Sequence, residues 1–173
     1  ANYPSYRDIE KIISEFGPTP ENDDFYNSLS AGIHLLSSAS RLSPFFHKVF
    51  TFEIVDGPNN HWGLIKRDGS VKPRYAAFIF LNQLRGNLIG QEGNGSFVSA
   101  LAAKQNNTIQ VLLVNYDPEN KHEETVPIIF KDLPPGQYKL NKTQFLGNTT
   151  SEILNTNQTA IYMSPNSAYL LEL

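Results

Sequence analysis

Carboxylates close two apolar runs in the first third of the chain: Glu15 in "KIISEFGPTP", and Glu53 and Asp56 in "KVFTFEIVDG". An acid at the end of a short buried strand is held on a rigid support, and Gly17 and Pro18 can turn the chain away behind it. Two such acids converging on one cleft suit glycoside cleavage, in which one carboxylate attacks the anomeric carbon and another protonates the leaving oxygen. Beside the second run, in "DGPNNHWGL", stand His61 and Trp62, the chain's only tryptophan. An indole there could stack on a sugar face or plug a structural rim.

Each residue also has a plainer reading. Glu15 could be a solvated strand-end acid. Glu53 lies in an aromatic strand, where a charge needs a partner or an opening onto a cavity. Asp56 precedes Gly57 and Pro58, where an aspartate commonly stabilises a turn, and it could also accept from a sugar hydroxyl.

The elements that must position these residues alternate. "KIIS" reads as a short buried strand. "ENDDFYNSLSAGIHLLSSASRL" reads as an amphipathic helix capped by Asn22 or Asp23, with Phe25, Leu29, Ile33 and Leu36 on its apolar stripe. "KVFTFEIVDG" is a second strand, apolar on both faces as covered parallel strands are. "KPRYAAFIFLNQL" is a second helix opened by Pro73. This order is the signature of βα units with parallel strands. Two such units leave strand edges unpaired. They are expected to be the last quarter of a (β/α)₈ barrel of about 250 residues, or else half of a small open sheet. On a barrel the C-terminal strand ends form the active face, which puts Glu15, Glu53 and Asp56 at one mouth.

Glycines in "RGNLIGQEGNGS" end this region, giving a division into residues 1–86 and 87–173. Beyond it, "FVSALAAK", "TIQVLLVNY", "TVPIIFKDL", "QYKLNKTQFL", "TAIYM" and "SAYLLEL" are β-forming runs separated by turn signals. They predict an antiparallel β-sandwich of about six to eight strands.

Composition narrows the function. The chain of 173 residues is 40% apolar with a net charge of −3 and no block of like charges, so nothing suggests nucleic acid or an anionic membrane as partner. No apolar run approaches the roughly 20 residues of a membrane span. The absence of cysteine excludes disulfides and thiolate chemistry. His34 reads as a surface residue outside the helix stripe, and His47 and His122 are isolated, so no metal set emerges. "GQEGNG" lacks the basic residue of a phosphate loop. Five N-x-S/T triplets begin at Asn94, Asn106, Asn141, Asn148 and Asn157 and give secretion a modest lead. The beginning at Ala1 reads as a cut or processed end.

The order "ISEFG", helix, "FTFEIVDG", "WGLIKRDGSVKPRYAAFIFLNQL", then a β-sandwich ending in "SPNSAYLLEL", resembles the C-terminal part of a clan A retaining glycoside hydrolase. It is nearest in style to the family of β-xylosidases and α-L-iduronidases, with cellulase-like families as neighbours. The resemblance covers nearly the whole chain. It implies that Glu15, matched through "ISEFG", is the catalytic nucleophile, and that the acid/base glutamate follows the fourth barrel strand, outside this chain. It further implies a carbohydrate substrate and no metal or organic cofactor. The missing barrel part would be a separate or cleaved chain, the isolated chain inactive, and the location secreted, lysosomal or periplasmic. The rival reading is a non-catalytic carbohydrate-binding or interaction module, which would need an exposed aromatic row drawn from Tyr116, Tyr138, Phe145, Tyr162 and Tyr169.

Overall fold

Strand β1 (Ile12–Phe16) runs parallel to β2 (Lys48–Thr51), joined through a 3₁₀ turn (Asp24–Asn27) and helix α1 (Leu29–Leu42). Helix α2 (Pro73–Leu81) follows β2. The computed structural model describes residues 9–173. The processed end read at Ala1, with the first eight residues of the expected 1–86 region, lies outside the described residues.

The connection from β1 to α1 carries two caps in succession. The Asp23 carboxylate accepts from the Phe25 amide at 2.9 Å, and the Ser28 hydroxyl accepts from the Ala31 amide at 3.2 Å. Each satisfies an amide left open at the start of a helical turn. Because Ser28 recaps the chain, the α-helix begins at Leu29, later than the cap at Asn22 or Asp23 predicted, and Leu29 itself is exposed. Pro73 sits at the first turn of α2 as expected, after an extended Lys72.

The second strand is shorter than "KVFTFEIVDG" suggested. After Phe52, whose amide still donates to the Phe16 carbonyl, the chain leaves β1 and pairs with its own following loop: the Glu53 amide donates to the Trp62 carbonyl, the Leu64 amide donates to the Glu53 carbonyl, and Val55 bridges Ile65. Backbone groups that would have extended the parallel ladder are satisfied locally.

Eight further strands are β3 (Asn87–Leu88), β4 (Val98–Gln105), β5 (Thr108–Asn115), β6 (Glu124–Ile129), β7 (Tyr138–Gln144), β8 (Thr149–Leu154), β9 (Gln158–Met163) and β10 (Ser167–Glu172). They form a six-stranded sheet in the order β3-β4-β5-β10-β7-β8 and a two-stranded sheet β6-β9, with every pair antiparallel. The strand period of two sorts their side chains cleanly. Leu112, Val114, Ala168 and Leu170 face the helices, whereas Leu113, Leu140 and Leu171 face Ile161 and Met163 of the smaller sheet. Both faces of β5 and β10 are therefore covered, which explains their nearly unbroken apolar runs.

Helices and large sheet share one core, built from Ile33, Leu35, Leu36, Ala77 and Phe80 on one side and Leu112, Val114, Phe145 and Leu170 on the other. Phe80 and Phe145 meet edge to face at 5.4 Å. A buried Ser40–Ser99 hydroxyl contact of 2.6 Å adds a polar tie between α1 and β4. On the opposite side of the helices lie β1 and β2, where Ile12, Val49 and Phe50 are exposed, as are Phe52, Ile54 and Val55 just past β2.

Candidate active site

Glu15 stands in an irregularity of β1. Ile13 faces Val49 and Phe16 faces Thr51, so β1 uses one more residue than β2 between the same two pairings. A bulge of this kind bends the strand and re-aims the side chains within it. Ile13 and Phe16 are half-buried, while Ser14 and Glu15 between them are exposed. Gly17 follows directly, and a Cβ there would come within 2.7 Å of the Tyr26 hydroxyl, so a larger residue would have to displace the Tyr26 side chain.

Loops at the C-terminal ends of the two parallel strands are tied together. Asn22 Nδ2 donates to the Asn59 carbonyl at 2.6 Å and Asn22 Oδ1 accepts from the His61 amide at 2.7 Å. Trp62 Nε1 donates to the Glu21 carbonyl at 3.0 Å, and the indole leans on Phe52 with centroids 5.8 Å apart. The half-buried Trp62 and exposed His61 thus occupy the same rim as the turn behind Glu15. His61 Nε2 lies 3.9 Å from Asp24 Oδ1. Glu53, two residues past β2, is half-buried, and its Oε1 is buried with no hydrogen-bond partner among the described residues.

Asp56 is buried. Its Oδ1 accepts from Lys72 Nζ at 2.6 Å and from the Gly63 amide at 2.8 Å. A Cβ on Gly63 would fall 2.3 Å from the Asp56 amide nitrogen, so the loop closes on itself here only because this residue is glycine. Lys72 also donates to the His61 carbonyl at 2.8 Å. The Asp56 carboxylate serves the loop that presents His61 and Trp62, with Oδ1 committed to protein donors.

Two buried cations that support these loops have no counterpart among the sequence expectations. Lys72 and Arg74 flank the helix-opening proline and are both buried, at 1% exposure each. Arg74 Nη1 donates to the Trp62 carbonyl at 2.8 Å, Nη2 donates to the Thr51 hydroxyl, and the guanidinium lies over the Tyr26 ring at 4.9 Å. Thr51 in turn donates to the Phe16 carbonyl at 3.2 Å. Burial holds the Arg74 guanidinium below its usual range and pushes the Tyr26 phenol up. The available signal was a "KPR" triplet at a helix start, two cations that read as solvated until the fold covers them.

His34 corrects the surface assignment. Its ring is stacked on Phe16, with centroids 5.6 Å and planes 8° apart, and meets Tyr116 of the large sheet edge-on at 5.2 Å. Burial, helped by the Arg74 cation, pulls its pKa down to about 4. Among the described residues no group of three or more His, Asp and Glu could hold a metal ion.

The fold is similar to part of solved glycoside hydrolases of families GH39, GH30 and GH51. No family model and no curated protein matches the chain. The monomeric β-xylosidase from Caulobacter crescentus CB15 superposes with a TM-score of 0.70 at 14% identity, over 95% of this chain and 45% of that one. The GH30 subfamily 8 xylanase Xyn30A from Clostridium acetobutylicum gives 0.68 at 10% identity, over 94% and 42%. The GH51 α-L-arabinofuranosidase from Thermotoga petrophila RKU-1 gives 0.65 at 17% identity, over 94% and 43%. The chain therefore spans less than half the length of these solved structures.

Proposed function

We propose that the chain is the C-terminal part of a retaining glycoside hydrolase, with β1-α1-β2-α2 as the last quarter of a (β/α)₈ barrel and Glu15 as its nucleophile. The observation that carries this reading is the bulge at the C-terminal end of β1, which presents an exposed Glu15 on the rim that also bears Trp62. The exposed apolar side chains of β1 and β2 support it, because a two-stranded sheet with bare apolar surface fits one that further strands complete. The division at residues 86 and 87 separates barrel from sandwich in the same reading.

Glu15 attacks the anomeric carbon as the bond to the leaving oxygen breaks, giving a glycosyl ester on its carboxylate. A glutamate outside these residues protonates that oxygen and then takes a proton from the water that cleaves the ester. The two carboxyl groups would stand about 5–5.5 Å apart. Trp62 supplies a face for a sugar ring. Glu53, with its unpartnered buried oxygen, is suited to accept from a sugar hydroxyl, and His61 can donate or accept at the rim. Asp56 acts indirectly, by holding the loop. No metal or organic cofactor enters this chemistry. The reading also requires the rest of the barrel, on the same polypeptide or on a separate or cleaved one, and leaves the isolated chain inactive. A secreted, lysosomal or periplasmic location accords with it, and no described helix is long and apolar enough to cross a membrane.

For the binding-module reading, the five candidate aromatics give little support. Of its five candidate aromatics only Tyr162 is exposed, and its hydroxyl donates to Glu123 at 2.5 Å.

Azide rescue tests the proposal. In the protein with a complete barrel, Glu15→Ala should abolish hydrolysis of an activated aryl glycoside, and added azide should restore turnover with a glycosyl azide of inverted configuration. Unimpaired hydrolysis by Glu15→Ala would refute the assignment.

A further inference from the structure

The residue after Glu15 is held by groups from three different layers. Phe16 lies flat on His34 of α1, and His34 meets the edge of Tyr116, which directly follows β5 of the large sheet. From the β2 side, Thr51 holds the Phe16 carbonyl, and Arg74 holds Thr51. The strand is irregular between Ile13 and Phe16, so the usual ladder does not dictate where Ser14 and Glu15 point. The far end of the bulge is anchored at Phe16, by its carbonyl, which accepts from the Thr51 hydroxyl and the Phe52 amide, and by its ring on His34. The sheet also backs the ring stack closely: the Tyr116 amide donates to the Phe97 carbonyl at 3.0 Å, and the next residue, the buried Asp117, accepts from the amides of Glu119, Lys121 and His122.

We infer that the β-sandwich sets the aim of the Glu15 carboxylate through the ring series Tyr116–His34–Phe16, which makes Tyr116 a positioning residue for the glycosidic step. This rests on Glu15 being the nucleophile. It gives the sandwich a part in the reaction although none of its side chains lines the candidate site. His34 is uncharged well below neutral pH, so the stack is a neutral contact under ordinary assay conditions.

Misplacing a reacting group by about 1 Å can cost about 10²-fold in rate. In the protein with a complete barrel, Tyr116→Leu should lower kcat on 4-nitrophenyl β-D-xyloside, β-D-glucoside or α-L-arabinofuranoside by about 10- to 100-fold, with KM changed less than about twofold. Tyr116→Phe keeps the ring edge and should restore kcat. Ile161→Ala, in the sandwich interior away from the stack, should lower the melting temperature while leaving kcat intact. A Tyr116→Leu enzyme within about twofold of the parent, or an equal kcat loss in Ile161→Ala, overturns the inference.

A crystal structure of Tyr116→Leu gives a readout that needs no substrate. The Glu15 carboxyl carbon should move by about 1 Å, and a shift below about 0.5 Å overturns the inference as well. Glu15→Gln, assayed in parallel, separates the two claims. If it stays active, the nucleophile assignment has failed. If it is dead while Tyr116→Leu is normal, only the role of Tyr116 has.

Discussion

Breaking the Asp56–Lys72 pair should cost more than any surface charge change in the chain. The Lys72 side chain is 0% exposed and that of Asp56 7%, with Nζ and Oδ1 2.6 Å apart. Asp56→Asn preserves shape and the bond from the Gly63 amide, but leaves the ammonium facing only neutral acceptors, among them the His61 carbonyl. Removing one partner of a buried pair costs about 3–5 kcal/mol, because the remaining charge is uncompensated. For a cooperative unit of about 150–250 residues that corresponds to a fall of roughly 6–20 °C in melting temperature. Lys72→Met removes the charge and keeps the aliphatic stem, so the double variant should lie well above the sum of the single losses, with a coupling of about 2 kcal/mol or more. Calorimetry on the four proteins closes the cycle. Additive losses, or a cost below about 1 kcal/mol for Asp56→Asn, would refute burial of the pair as the cause.

Two more predictions follow from the interior. His34 has a folded pKa of about 4, below its ordinary value of 6.5, so the folded state binds fewer protons than the unfolded one between those values. Stability should therefore fall as pH drops from about 6.5 to about 4, by up to about 3 kcal/mol, and remain unaffected by this group above that window. Comparing urea midpoints of the parent and His34→Gln across pH isolates the contribution, which should vanish in the variant. Phe80→Ala, which empties the seam where α2 meets Phe145, should destabilise by about 3–5 kcal/mol. A loss below about 1 kcal/mol in chemical denaturation would mean that helices and sheet do not share that core.

Local patterns that act along the chain were legible in the residues. The alternation of strand and helix, the proline opening α2 and the hairpin runs of the sandwich each reflect a short-range rule, and each is present. What sequence could not reveal depends on which layer covers a residue. His34 lies off the stripe of Phe25, Leu29, Ile33 and Leu36, yet α1 is sandwiched between β1-β2 and the large sheet, so two faces are covered and a one-stripe reading fails. Leu29, on the stripe, is exposed because the helix has only just begun there. The end of β2 was misplaced because "FTFEIV" is equally apolar throughout, and the competing partner was the loop beyond it. Glu15 and Trp62 enter the proposed site on residue type and setting alone. The bulge that frames Glu15 and the buried cations that hold the Trp62 loop are properties of pairing and burial, with no one-dimensional signature.

Covalent trapping tests the central claim most directly. The protein with a complete barrel should react with an activated 2-deoxy-2-fluoro glycoside of its preferred sugar, since the fluorine slows hydrolysis of the glycosyl ester more than its formation. Peptide mass spectrometry should then locate the added sugar on Glu15, within the "IISEFG" peptide. A label on Glu53 or any other carboxylate, or a protein that neither hydrolyses aryl glycosides nor becomes labelled, would contradict the account.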